Sequence, residues 1–254
     1  MIGTLIDGRY LLQEAIGSGG EARVFRARDT AMGNEMAVRV ALKPVTYTAP
    51  DTTPSHPNWV RFFHWGVDPQ QGAYQVFALL EGKTLDAVIK YRPLDAYAWQ
   101  RFVTQSLDAV AALNDAGWIH GDLNAGNFFL TGSEWKLLEL PFLRFDPPPS
   151  RTTLFGSIHT LAPELFEGHQ PDVRSDLYSL GCLYYYAASG MYPHPGRNVQ
   201  EVAINCLRFT PPSLRQTAPG FSVAWSDWVM TLLARQPQDR PATVATARQL
   251  LGVA

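Results

Sequence analysis

Apolar and polar positions alternate through the first eighty residues and then change period. Tyr10, Leu11 and Leu12 run into a glycine cluster, Gly17-Ser18-Gly19-Gly20. Residues 22–28 follow, with Val24 and Ala27 set roughly alternately among Arg23, Arg26 and Arg28. This pattern and the short apolar runs at 36–40, 60–63 and 74–80 predict strands. Between them, residues 43–55 hold Pro44, Pro50 and Pro54, a density that forbids a long helix there. From Leu85 onward the apolar residues recur at helical spacing. Phe102, Val103, Leu107, Val110, Ala111 and Leu113 mark a helix over 98–116. Further helices are predicted at 175–189, 199–207, 222–234 and 243–251, and a strand at 136–138. The expectation is an α+β chain: a small antiparallel sheet lobe over about 1–80, then a larger, mainly helical lobe over about 81–254. The two form a single domain with a hinge at Glu81-Gly82.

Composition narrows the class. A chain of 254 residues, 46% hydrophobic, can bury a large core. The net charge of −2, without a basic run, argues against nucleic acid as a partner. Cys182 and Cys206 have neither metal spacing nor a disulfide framework and read as ordinary buried residues of a reduced compartment. The start lacks a basic stretch followed by an apolar run, and residues 180–192 are too short to span a bilayer. The expectation is a cytoplasmic domain with no membrane segment. His64, His159, His169 and His194 are scattered and are expected in loops or at the surface; Tyr184, Tyr185 and Tyr186 are expected in the core.

The chemistry-bearing segments occur in a fixed order. A glycine cluster between strands lets backbone N–H groups approach phosphate oxygens, although a tight hairpin explains it equally well when taken alone. Asp122 and Asn127 are separated by Leu123-Asn124-Ala125-Gly126, the spacing of a D-L-x-x-x-N catalytic loop preceded by His120-Gly121. Ala162-Pro163-Glu164 follows, then Asp176 in Ser175-Asp176-Leu177-Tyr178, then Asp239-Arg240-Pro241.

With Gly8-Arg9-Tyr10 and His56-Pro57-Asn58 added, nearly the whole chain resembles the eukaryotic-like Ser/Thr protein kinases of bacteria. The resemblance implies roles. Gly17, Ser18, Gly19 and Gly20 would cover the phosphates of ATP; Val24, Ala37 and Phe129 would sandwich its adenine. Phe77 would be the gatekeeper, and Ala78, Leu79 and Leu80 the hinge that meets the adenine edge. Asp122 would accept the proton of the substrate hydroxyl, and Asn127 would hold Mg²⁺ or Mn²⁺. Asp176 would brace the loop, and Glu164 with Arg240 would form a buried ion pair. Ser150, Thr152 and Thr153 occupy the activation-loop position.

The sequence departs from the family where charge meets phosphate. Arg39 stands at the lysine position, and its planar fork does not reproduce a point charge. Sixteen residues separate Arg39 from His56 and include no glutamate, so the helix that carries the lysine's partner is expected to be shortened or absent. Glu139-Leu140-Pro141 replaces Asp-Phe-Gly, Gly121 replaces an arginine, and Asn124 replaces a lysine. Three altered contacts at ~2 kcal/mol each amount to a loss of roughly 10⁴-fold in rate. The leading expectation is therefore a pseudokinase, a regulatory or protein-binding module of a signalling complex that retains a nucleotide site. The alternative is an active, atypical ATP-dependent Ser/Thr kinase using Asp122, Asn127, Arg39 and Glu139, with Asn127 and Glu139 on the metal.

Overall fold

The structure, a computed structural model, describes residues 1–19, 22–43, 54–143 and 158–252. They fall into two compact units. One runs from Met1 to Glu81 and includes Leu143; the other runs from Gly82 to Pro141 and takes in the described residues from 158 onward.

The first unit is a six-stranded antiparallel sheet. Its strands are β1 (Leu5–Ile6), β2 (Tyr10–Ser18), β3 (Ala22–Asp29), β4 (Glu35–Ala41), β5 (Phe62–Asp68) and β6 (Gly72–Ala78), in the order β1-β2-β3-β4-β6-β5. Side chains alternate across a strand, so each strand contributes to two faces. Tyr10, Leu12, Phe25, Ala27, Val38, Val40, Tyr74 and Val76 meet with Ile6 as a dry core on one face. The strand expected at 60–63 begins instead at Phe62 and continues to Asp68, and that expected at 74–80 is Gly72–Ala78. Register with the neighbouring strand, rather than local apolarity, sets those ends. At the sheet's entry, Arg9 forks onto Asp29 through Nε (2.9 Å) and Nη2 (2.7 Å). That fork, chiefly, holds the Asp29 carboxyl down at about 2. His64 is not a loop histidine. It lies in β5, half-buried, with Nε2 against the Tyr10 hydroxyl. Most of 43–55, where a helix was expected to be lost, lies outside the described residues.

The second unit holds α1 (Leu85–Ile89), α2 (Ala96–Asp115), α3 (Pro163–Phe166), α4 (Val173–Ser189), α5 (Val199–Arg208), α6 (Leu214–Thr217), α7 (Val223–Leu232) and α8 (Val244–Leu251). A three-stranded sheet of β7 (Lys83–Thr84), β8 (Phe128–Thr131) and β9 (Glu134–Leu137) accompanies them. Among the described residues no helix is long and apolar enough to cross a membrane. Helix starts follow capping chemistry. Ser222 and Thr243, expected as first helical residues, are N-caps whose hydroxyls accept from Trp225 N and Thr246 N. Asp172 and Ser175 close a reciprocal capping box, so α4 begins before Ser175. The core joins α2, α4 and α7 through aromatic rings. Trp99 meets Tyr184 edge-on at 6.0 Å and donates Nε1–H to the Tyr184 carbonyl at 2.9 Å. Tyr184 and Tyr185 are buried as expected, and Tyr186 is half-buried. His194 is buried, not at the surface; desolvation first, then Arg235, lowers its pKa to about 4. His159 stacks on Tyr192, while His169 is exposed.

Gly82 has a steric requirement. Its φ is +157°, and a Cβ there would lie 1.8 Å from the Leu130 carbonyl oxygen. Since β7 pairs with β8 beside it, neither backbone can yield cheaply. Gly82→Ala is expected to cost about 2 kcal/mol or more, read as a lowered urea midpoint at unchanged slope.

Candidate functional site

In the helical unit the candidate site is the segment 120–127, and hydrogen bonds to buried groups hold its shape. Asp176, buried in α4, accepts from His120 N and Gly121 N, each at 2.8 Å. Gly121 has φ +70°, a conformation that costs glycine little and other residues much. The glycine at the usual arginine position is thus suited to the turn it makes. His120 is fully buried. Its Nδ1 accepts from Asp122 N at 3.2 Å, so the proton sits on Nε2, which donates to Leu138 O at 3.4 Å.

The Asp122 carboxylate is half-buried and aligned by Asn124, whose Nδ2 donates to Asp122 Oδ1 (2.9 Å) and O (3.2 Å). Asn124 Oδ1 accepts from Gly126 N at 2.9 Å. The sequence suggested only that a cation had been lost at 124; the structure gives the residue a bracing role in exchange. Asn127 donates Nδ2 to the Asp122 carbonyl at 2.9 Å, which leaves Oδ1 as the amide's ligating atom.

Leu138 N donates to Asn127 O at 2.8 Å, and Glu139 follows Leu138 in the chain. Its φ is +52°; among the described residues it shares a positive φ with one other non-glycine, Asp7. Such a backbone costs of order 1–3 kcal/mol and is typical of functional positions. Glu139 is exposed. Among the described residues no group of three or more His, Cys, Asp or Glu side chains is arranged to hold a metal. The candidate ligands are thus an amide oxygen and a carboxylate, a hard-oxygen set that fits Mg²⁺ or Mn²⁺. Phe129, on β8, is half-buried. Farther down the unit, Glu164 and Arg240 pair as expected, at 2.7 Å.

In the sheet unit the candidates fall on one face. Gly17 pairs with Val24, Val24 with Arg39, and Ala37 with Phe77. All of these positions turn away from the dry core. A Cβ on Gly17 would meet Val24 at an ordinary 3.5 Å, so hairpin packing alone does not demand glycine there. Gly19 N closes the turn onto Ala22 O at 2.9 Å; Gly20 lies outside the described residues, and Ser18 ends β2. Of the expected hinge, Ala78 is built into the sheet, its N–H given to Arg61 O at 2.9 Å; Leu79 and Leu80 follow the strand. Ser150, Thr152 and Thr153 are outside the described residues.

Arg39 is buried. Its Nη1 donates to Gln75 Oε1 at 3.1 Å and to Leu143 O at 3.4 Å. Gln75 was missed from the sequence. Its signal was a glutamine inside the apolar run Ala73-Tyr74-Gln75-Val76-Phe77, since a buried amide demands partners.

Comparisons with known proteins show the family and the fold. The protein kinase domain family matches residues 10–252, and the chain belongs to that family. It is 29% identical to the probable serine/threonine-protein kinase PknB of Corynebacterium glutamicum, over 98% of this chain and 42% of that protein. It is 30% identical to the serine/threonine-protein kinase PknA of Mycobacterium tuberculosis, over 86% of this chain and 55% of that protein. It is also 30% identical to the DNA damage-responsive serine/threonine-protein kinase RqkA of Deinococcus radiodurans, over 99% and 40% respectively. The chain thus spans between 40% and 55% of the length of these relatives. The crystal structure of Rad53 in complex with AMP-PNP has the same fold, with a TM-score of 0.77 at 20% identity over 94% of this chain and 64% of that one.

Proposed function

We propose that the chain is an atypical ATP-dependent Ser/Thr protein kinase domain that transfers the γ-phosphoryl group to a protein hydroxyl. The observation that carries this reading is the fully braced loop around Asp122, with its backbone fixed by Asp176 and its carboxylate aligned by Asn124. Phosphoryl transfer is mostly positioning and charge stabilisation, and positioning is what the loop supplies. Asp122 orients the attacking hydroxyl and takes its proton. Asn127 and Glu139 would hold Mg²⁺ or Mn²⁺, whose charge would offset that of the phosphates. Arg39 supplies the remaining cation. Gly17, Ser18 and Gly19 take the phosphates; Val24, Ala37, Phe77, Leu80 and Phe129 take the base. The relatives named as kinases support this reading over the pseudokinase that the altered motifs suggested first.

The second reading, a signalling module that binds nucleotide and a partner protein, is favoured by one observation: Arg39 is engaged by Gln75 and Leu143. Thermal shift separates the two. ATP is expected to raise the melting temperature more with Mg²⁺ or Mn²⁺ than without, alongside γ-phosphate incorporation into the protein or a generic basic substrate. A shift that ignores metal, with no incorporation, would leave the binding-module reading.

A further inference from the structure

A buried guanidinium needs partners that fix its direction, and no glutamate occurs between Arg39 and His56. Directly across the ladder from Arg39 is Gln75, a register pair of β4 and β6. Gln75 is fully buried, so both ends of its amide must be satisfied. Its Oε1 accepts from Arg39 Nη1 at 3.1 Å, and its Nε2 donates to Leu143 O at 2.7 Å. The two bonds assign the amide: Arg39 offers only donors and a carbonyl only accepts, so a flipped amide would oppose both. Leu143 O also takes Arg39 Nη1, which closes a triangle of donor, amide and carbonyl. Its carbonyl ends the single 3₁₀ turn Pro141–Leu143, the segment that follows Glu139 in the chain.

We propose that Gln75 is a positioning residue for Arg39: from the adjacent strand its amide holds Nη1 and aims the guanidinium at the nucleotide phosphates. Gln75 touches no substrate and acts through Arg39. The inference rests on the nucleotide-binding part of the proposed function and needs no turnover.

The test compares affinities for ATP and for adenosine, which has no phosphates, in the wild-type chain and in variants at 75. Gln75→Leu is expected to weaken ATP about tenfold, the worth of one hydrogen bond to a charged group, while adenosine changes less than about twofold. Gln75→Glu keeps the acceptor for Nη1 but turns an oxygen toward the Leu143 carbonyl, so it is expected to hold ATP better than Gln75→Leu and less well than wild type. If the leucine variant does not fold, Gln75→Asn, one methylene too short to reach Nη1, carries the leucine expectation. Equal losses of ATP and adenosine would reduce Gln75 to a structural residue and overturn the proposal. So would a wild type that binds ATP no better than adenosine. Phosphate-selective binding without phosphotransfer would sink the kinase reading and leave this inference standing.

Discussion

Asp122→Asn is expected to abolish phosphotransfer, by about 10²–10⁴-fold, while leaving the melting temperature within a degree or two of wild type. The asymmetry follows from where the hydrogen bonds go. The loop is held by backbone groups: His120 N and Gly121 N on Asp176, and the Asp122 carbonyl on Asn127 Nδ2. None of these involves the Asp122 carboxylate. That carboxylate accepts from Asn124 Nδ2 at 2.9 Å, and an asparagine placed with its oxygen toward Asn124 keeps the bond. What an amide cannot do is take a proton from a hydroxyl. Incorporation of γ-phosphate compared between the two proteins checks this, with melting temperature as the control. Transfer that survives the substitution would mean that it arises elsewhere. A collapse of stability would mean that the carboxylate is retained for the fold.

A companion expectation concerns Arg39→Lys, the change that restores the family's residue. It should not raise turnover by more than about threefold. Lysine's ammonium is a compact point charge that does not reproduce the reach by which Arg39 Nη1 meets both Gln75 Oε1 and Leu143 O. Steady-state kinetics of the single variant decide the matter, and a gain of tenfold or more would sink this account of the pair.

Much of the site was legible because family spacing constrains backbone geometry. Asp122 and Asn127 can be read at a distance since the turn between them must bring Asn127 Nδ2 back to the Asp122 carbonyl. Glu164 and Arg240 were legible for the same reason. The partner of Arg39 was not. A sequence shows that no glutamate lies between Arg39 and His56, but Gln75 stands opposite Arg39 only once β4 and β6 are paired. The departures at Gly121 and Asn124 read as losses in the sequence because a string of letters shows the charge that has gone. It does not show a turn at φ +70° or an amide clamped between Asp122 and Gly126. The five longer helices were placed by periodicity, with ends missed by a residue or two, while the short α1, α3 and α6 carry too few turns for a period to show. Whether Ser222 or Thr243 begins a helix or caps it depends on which N–H its hydroxyl reaches.

Removing Glu164 should be the most destabilising single change in the helical unit. The Arg240 side chain is fully inaccessible and that of Glu164 is 8% exposed. Arg240 fills its donors: Nη1 and Nη2 on the two Glu164 oxygens at 2.7 and 2.8 Å, Nε on Ala234 O at 2.7 Å, and further bonds to Arg174 O and Arg235 O. The guanidinium also lies 4.7 Å from the Tyr178 ring centroid. The pair therefore ties α3, the start of α4 and the turn before α8 to one point. Its net worth against an apolar pair is small, because two charges were desolvated to make it. The cost of breaking it is not small. Glu164→Ala leaves a guanidinium with no anion in a place water does not reach, at about 3–5 kcal/mol. In a unit of this size that is a drop in melting temperature on the order of 10 °C. Arg240→Met should cost less than Arg240→Ala, since it fills the space but still strands the carboxylate. Replacing both Glu164 and Arg240 by apolar residues of similar volume should recover part of the loss. A double variant less stable than Glu164→Ala alone would show that the bonds from Arg240 to the three backbone carbonyls, rather than the ion pair, hold this end of the unit together.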